Sequence, residues 1–327
     1  MGIRIIGTGS YLPEKILTNT DLEKIVDTSD EWIRTRTGIE SRHIASPEQA
    51  TSDLCAAAAK RAIEMAGIDA AEIGAIIVAT VTPDHTLPNT ACLVQELIGA
   101  KNAFCFDLSA ACSGMVYSMV TAQSLMESIP HLKYALVLGA EKLSSIVDWE
   151  DRNTCVLFGD GAGAAVLAKV EGGSNSIKAF DLGADGSAKD ILSQPGGGSR
   201  IPATHESVEA REHFVRMSGK EVFKLAVPAM VQSSQRVMNE LGLTSDDIAI
   251  LVPHQANYRI LKAVAQRLDI PEEKVFINVN RYGNTSAATI AICLDEIVRG
   301  NLVKKGDKIL LTAFGGGLTW GSLVVEW

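Results

Sequence analysis

The chain lacks the signatures of several common protein classes. Its six cysteines (Cys55, Cys92, Cys105, Cys112, Cys155 and Cys293) include no C-x-x-C pair, so neither a zinc knuckle nor a dithiol redox couple is indicated. Positive charge is not in excess: 30 Lys and Arg stand against 39 Asp and Glu, a formal net charge of −9. That balance disfavours a general nucleic-acid binder, which needs a basic surface. Apolar runs such as Ala75 to Val81 fall far short of the roughly 20 residues a spanning helix requires. The start, Met1-Gly2-Ile3-Arg4-Ile5-Ile6, has no signal-peptide layout, and Ile6 stands where myristoylation needs Ser or Thr. Together these absences predict a cytoplasmic protein in a reducing setting, with no membrane and no nucleic-acid partner. What is present is a generous apolar fraction, 46% of 327 residues, with 21% charged. Such a chain folds as two domains or one large one.

The sequence is written twice. Arg61 to Ile73 resembles Arg236 to Ile248, with Arg, Gly, an acid and Ile recurring at an offset of 175. Each copy reads as an amphipathic helix ending at Gly, a short turn and a strand (Ala75–Thr80, Ala249–Val252). Ile3 to Gly9 matches Ile177 to Gly183, and Tyr134 to Ala140 matches Lys308 to Phe314, both at 174. The joint falls at Glu171-Gly172-Gly173-Ser174-Asn175, giving halves 1–172 and 173–327. Strands alternate with helices in both, which predicts two mixed sheets flanked by helices about a pseudo-two-fold axis. Sites then form where loops of both halves meet.

Cys112 lies in Phe104-Cys105-Phe106-Asp107-Leu108-Ser109-Ala110-Ala111-Cys112-Ser113-Gly114, where a strand-type run gives way to a helix-type run, Met115 to Met126. A thiol there sits at the positive end of a helix, whose free N–H groups and dipole favour thiolate. The pattern is that of a nucleophile elbow with Cys in place of Ser. A buried structural cysteine fits the same position, and is the better reading for the other five. The corresponding turn of the second half is Tyr282-Gly283-Asn284-Thr285-Ser286; Asn284 there is a candidate functional amide or a helix N-cap. His254 follows the strand ending Leu251-Val252-Pro253, at the sheet end where α/β sites form, and also fits a core histidine. Gly315-Gly316-Gly317 can turn bare N–H groups to a ligand, or form a plain hairpin. Gly159-Asp160-Gly161-Ala162-Gly163 is followed by strand-type residues rather than a phosphate-capping helix, so it reads as sheet packing, not a dinucleotide loop. Cys, His and Asn together also suit a papain-type hydrolase, but the duplicated α/β layout and the missing local signature argue against it.

With these motifs and Glu31-Trp32-Ile33-Arg34-Thr35-Arg36-Thr37-Gly38-Ile39, the whole chain resembles β-ketoacyl-acyl-carrier-protein synthase III, of the thiolase-like superfamily. The resemblance implies an α/β five-layered α-β-α-β-α fold and a homodimer. It implies that a short acyl-CoA acylates Cys112 and that malonyl-acyl carrier protein then loses CO₂ and condenses with the acyl group. Cys112 and Gly316 would supply the oxyanion N–H donors, and His254 and Asn284 would bind the malonyl thioester oxygen. No metal or redox cofactor is implied; the CoA thioester is a substrate. Positions matching the family's CoA contacts are Thr28, Trp32, Arg36, Arg152, Gly219, Phe223 and Asn257. Lys224, Arg259 and Lys262 match a basic patch for the carrier protein, and Leu87 matches the residue that closes the primer pocket across the dimer interface. A related enzyme of secondary metabolism with another primer or acceptor is the alternative. A degradative thiolase would need a second cysteine near Phe314 to Gly321, where there is none, and elongating synthases carry a second histidine where Asn284 stands.

Overall fold

A computed structural model describes residues 1–327. In chain order the strands are β1 (Gly2–Tyr11), β2 (Lys15–Thr18), β3 (Ser41–Ile44), β4 (Ile73–Ala79), β5 (Phe104–Leu108), β6 (Tyr134–Glu141), β7 (Gly161–Val170), β8 (Ile177–Ala184), β9 (Leu192–Ser193), β10 (Arg216–Met217), β11 (Ile248–Pro253), β12 (Lys308–Gly315) and β13 (Thr319–Glu326). One sheet has the order β1-β7-β6-β4-β5 and a second the order β11-β12-β13-β8. In the first, β4 runs parallel to β5 and β6, and β7 runs antiparallel to β6 and β1. The second repeats this: β12 is parallel to β11, and β13 is antiparallel to β12 and β8. The repeat legible in the sequence is thus a repeat of topology. One element is lost in the second copy, where the place of β5 is reduced to a single parallel bridge, Leu251 to Val275.

Parallel strands buried on both faces need apolar residues in unbroken runs rather than in alternation. In β4, Ala75 and Ile77 enter the central cluster, while Ile76 and Val78 enter the outer one. The central cluster also takes Met115 and Met119 from the helix Gly114–Ser128, Ile290 and Leu294 from the helix Ala288–Arg299, and Ile309 and Leu311 from β12. Both helices therefore lie between the sheets. Helices Thr51–Ala66 and Thr90–Ile98 cover the first sheet outside, through Leu54, Ala62 and Val94. Helices Gly219–Glu240 and Tyr258–Arg267 cover the second, through Val227, Met230 and Val264. The result is the expected five layers, with each large aliphatic side chain of the core worth about 1.5–3 kcal/mol. Gly163, in the run read as packing, belongs to β7; a Cβ there would stand 2.5 Å from the Ala291 Cβ, so its absence seats the central helix. No helix is long and apolar enough to cross a membrane.

Candidate active site

The chain leaves β5 at Leu108 and enters a 3₁₀ turn, Ala111–Ser113, that runs straight into the helix Gly114–Ser128. Ala111 takes a left-handed backbone, φ +44°, and the turn is sharp. Its backbone is pinned: the Ser113 and Thr319 hydroxyls, 2.8 Å apart, both reach Ala110 O, at 2.7 and 2.9 Å. The strand β12 comes so near that a Cβ on Gly315 would lie 2.6 Å from Cys112 N. In the second half the related turn has its own left-handed residue, Ser286, φ +49°, 175 positions after Ala111 and just before the helix Ala288–Arg299. Two elbows of one kind thus open the two central helices.

Asn284 is not the N-cap of that helix, a position held by Ala287. Its N–H donates to Leu157 O (2.8 Å) and its carbonyl accepts from Gly159 N (3.0 Å). Its Oδ1 accepts from Ser286 N at 2.8 Å. The amide oxygen is therefore engaged, which leaves the Nδ2 protons for a ligand. His254 N donates to Thr312 O of β12 (2.8 Å), and its Nδ1 lies 2.7 Å from Thr289 Oγ1. Thr289 Oγ1 also lies 3.0 Å from Ser286 O; with its one proton turned to Nδ1 instead, the imidazole carries its proton on Nε2, free to donate to a ligand. Burial pushes the imidazole down to about 3, so it is neutral at ordinary pH.

Cys112, His254 and Asn284 line one cavity of about 680 Å³. Leu157, Met217, Gly219, Phe223 and Asn257 belong both to this cavity and to a wider mouth of about 1460 Å³ bearing Trp32, Arg36, Lys224 and Arg259. A second chamber of about 970 Å³ also reaches Cys112; Val81, Leu143, Ile146, Val215 and Gly316 are among its walls. The thiol thus stands between a channel to the surface and a largely apolar pocket. Gly316 N–H has no backbone acceptor.

The remaining sequence-predicted residues separate into groups. Arg36 and Arg152 place their guanidinium carbons 4.7 and 4.8 Å from the Trp32 ring centre, a cation–π arrangement. Arg152 also donates to Asp27 O at 2.8 Å. Asn257 caps the helix Tyr258–Arg267 through Arg259 N (2.9 Å) and donates to Arg36 O (3.1 Å). Thr28 lines none of the three cavities described, and its hydroxyl has no partner. Lys224 pairs with Glu221 at 2.9 Å, and Arg259 donates to Thr35 O at 2.8 Å. Lys262 is apart from the mouth, in a shallow groove with Tyr258 and Glu272. Leu87 is 87% exposed and touches neither chamber of its own chain.

Electrostatics corrects one expectation. The helix start was expected to favour thiolate, yet burial pushes the Cys112 thiol up to about 12, against a lowering hydrogen bond from Ser286. The enclosed site withholds the water a thiolate needs, and at rest the thiol is protonated. Sequence reasoning also missed Glu141. It ends β6 fully buried, and burial raises its carboxyl to about 7. The signal was a lone acid closing the apolar run Tyr134 to Ala140. Thr289 was missed as well, its hydroxyl hidden in an apolar helix.

Two family models match the chain: 3-oxoacyl-[acyl-carrier-protein] synthase III over residues 106–186, and the C-terminal model of the same enzyme over residues 238–327. The β-ketoacyl-[acyl-carrier-protein] synthase III of Caldanaerobacter subterraneus subsp. tengcongensis is 56% identical, covering 99% of this chain and 97% of its own. That of Natranaerobius thermophilus is 52% identical, covering 99% of each. Among solved structures, the 3-oxoacyl-[acyl-carrier-protein] synthase III of Aquifex aeolicus superposes with a TM-score of 0.91 at 48% identity, covering 100% of both chains. The priming β-ketosynthase of the R1128 polyketide pathway gives the same TM-score at 35% identity, over 99% of this chain and 96% of its own. The chain belongs to the β-ketoacyl-[acyl-carrier-protein] synthase III family, the acyltransferases that perform the initiating condensation of type II fatty acid synthesis.

Proposed function

We propose that Cys112 is the acyl carrier of this condensing enzyme, acylated by a short acyl-CoA and discharged by malonyl-acyl carrier protein. The observation that carries the reading is the meeting of Cys112, His254 and Asn284 in one cavity at the inner end of a channel. The thiol attacks the thioester carbon and CoA departs through the channel. The acyl chain extends into the apolar chamber beyond Cys112. Cys112 N–H and Gly316 N–H stabilise the tetrahedral oxyanion. Malonyl thioester then takes the place of CoA, and its carbonyl oxygen accepts from His254 Nε2–H and Asn284 Nδ2. Charge developing there on loss of CO₂ is stabilised in a dry pocket, where such bonds are worth most. The carbanion attacks the acyl carbon and frees the 3-ketoacyl product. Mass spectrometry after incubation with mixed acyl-CoAs tests this: one acyl group should map to the Cys112 peptide, and a modification mapping elsewhere would overturn it.

Trp32 with Arg36 and Arg152 suits a nucleotide, offering an aromatic face for the base and cations for phosphates. Gly219, Phe223 and Asn257 would flank the pantetheine arm where mouth and cavity join. Thr28, outside the cavities, would contact only the outer end of CoA. The acidic carrier protein would dock on Lys224 and Arg259, with Lys262 at the margin. Arg259→Glu should raise KM for the malonyl carrier protein at least several-fold more than KM for acyl-CoA, and equal effects would count against docking there. The halves 1–172 and 173–327 would each supply part of the site, and the enzyme would work in the cytoplasm. A homodimer would form along the free edge of β5, where Phe104 and Leu97 are 42% and 44% exposed. Leu87 would then reach the partner's apolar chamber. Leucine there predicts a primer range from acetyl to short straight or branched chains, to be read from a panel of acyl-CoAs; strict acetyl preference would refute it. Identities of 56% and 52% over nearly the whole chain to two bacterial synthase III enzymes support the fatty-acid acceptor.

A further inference from the structure

His254 and Asn284 reach the cavity on separate segments. His254 follows β11, and Asn284 follows a short helix, Val279–Tyr282. Two donors serve one oxygen only when their spacing is held to within about 0.5 Å. Gln255, the chain neighbour of His254, ties the two segments together. It is fully buried and lines none of the three cavities described. Its Nε2 donates to Pro253 O (2.7 Å) and to Phe276 O (3.1 Å). Its Oε1 accepts from Asn278 N (3.0 Å) and Val279 N (3.2 Å). A primary amide has two protons to give and two lone pairs to fill. Here all four are engaged by backbone groups, and a reversed amide would meet each of them with the wrong polarity.

These bonds fall where the second half lacks structure that the first half has. In the first half β5 pairs with β4 at five positions and delivers the chain to the Ala111 elbow. In the second, segment 275–279 keeps a single bridge to β11, with Phe276 N donating to Leu251 O (2.9 Å). Gln255 holds the chain beyond that bridge. The first N–H groups of a helix need acceptors from outside it, and the N-cap residue Asn278 makes no side-chain cap. Its side chain is taken by Glu296 and Cys293 instead. Gln255 Oε1 supplies the acceptor. The short helix passes that placement on to Asn284, with Gly283 N donating to Val279 O (2.9 Å). On the other side, the bond to Pro253 O closes the turn across His254, whose own N–H is held by Thr312 O.

We propose that Gln255 is a positioning residue that fixes the spacing of His254 and Asn284, so that both donors converge on the malonyl thioester oxygen. It acts through them and touches no substrate. No other side chain of this size fills the place. A carboxylate would face two carbonyl oxygens, and an apolar residue would leave two buried N–H groups without acceptors. Asn257, two residues on, has its own anchors in Arg36 O and Arg259 N, so the channel wall is held separately.

The inference rests on His254 and Asn284 being the malonyl donors, and the test separates the two. Gln255→Met keeps the volume and removes all four bonds. Gln255→Asn keeps the amide on a shorter stem, which cannot hold both segments at once. Decarboxylation of malonyl-CoA is read as CO₂ release, acylation as the mass of acyl-Cys112, and folding as thermal unfolding. In Gln255→Met kcat for decarboxylation should fall about 10²-fold, the scale of a 1 Å misplacement. The fall should be smaller in Gln255→Asn, and both variants should keep KM for malonyl-CoA and the rate of acylation. Adding His254→Ala or Asn284→Ala to Gln255→Met should lower the rate by less than in the unmodified enzyme, because a displaced donor has less to lose. Should Gln255→Met fail to fold, Gln255→Asn gives the same readings. Unchanged decarboxylation in a folded variant, a parallel fall in acylation, or fully additive losses would overturn the positioning role alone. Full decarboxylation in His254→Ala and Asn284→Ala would overturn the parent reading and the positioning role with it.

Discussion

Replacing Cys112 with alanine should abolish acyl-enzyme formation and cut condensation by at least about 10⁴-fold, the scale seen when a covalent nucleophile is removed. Decarboxylation of malonyl thioester should survive, because His254 and Asn284 are anchored independently of the thiol. His254 hangs from Thr312 O and Thr289, and Asn284 from Leu157 O and Ser286 N. The measurement is CO₂ release without primer, beside intact-protein mass. Loss of both activities together would mean that the thiol also organises the malonyl site.

The converse separation is expected from the other two side chains. His254→Ala or Asn284→Ala removes one donor to the developing enolate oxygen, a loss of about 10²–10³ in rate, or about 2.7–4 kcal/mol. Cys112 should still be acylated, so the acyl-enzyme should accumulate when both substrates are present. The pH dependence is distinctive. The folded imidazole is pushed down to about 3, so it gains a proton only well below neutrality, and decarboxylation should be flat where an ordinary histidine titrates. An inflection near 6.5 that disappears in His254→Ala would refute a neutral imidazole donor.

Much of this was legible because the fold is repetitive. The helix foreseen from Met115 to Met126 runs Gly114–Ser128, and the strands foreseen at Ala75–Thr80 and Ala249–Val252 run Ile73–Ala79 and Ile248–Pro253. Unbroken apolar runs mark the strands well because both faces of each sheet are buried. Cys112, His254 and Asn284 stood out because reactive or polar side chains end apolar strands or open helices. Glu141 did not, because one acid after an apolar run is also how a strand meets solvent; only the fold shows that loop 80–82 and Ser286 close over it. The thiol's protonation was misread for a related reason. A helix start is visible in sequence, but the walls that exclude water come from distant segments such as Phe158 and Leu192. Leu87 is exposed and lines neither chamber of its own chain, so the fold of one chain gives it no pocket to close.

The paired elbows at Ala111 and Ser286 bear on ancestry. An uncommon backbone state at two positions 175 residues apart is inherited more easily than invented twice. A single ancestral half, meeting its own copy, would have presented two identical turns across a symmetry axis, each obliged to do the same job. Fusion of the copies removed that obligation. One turn could then keep a sulfur and the other an amide and a hydroxyl, a division of labour open only to a gene that carries both.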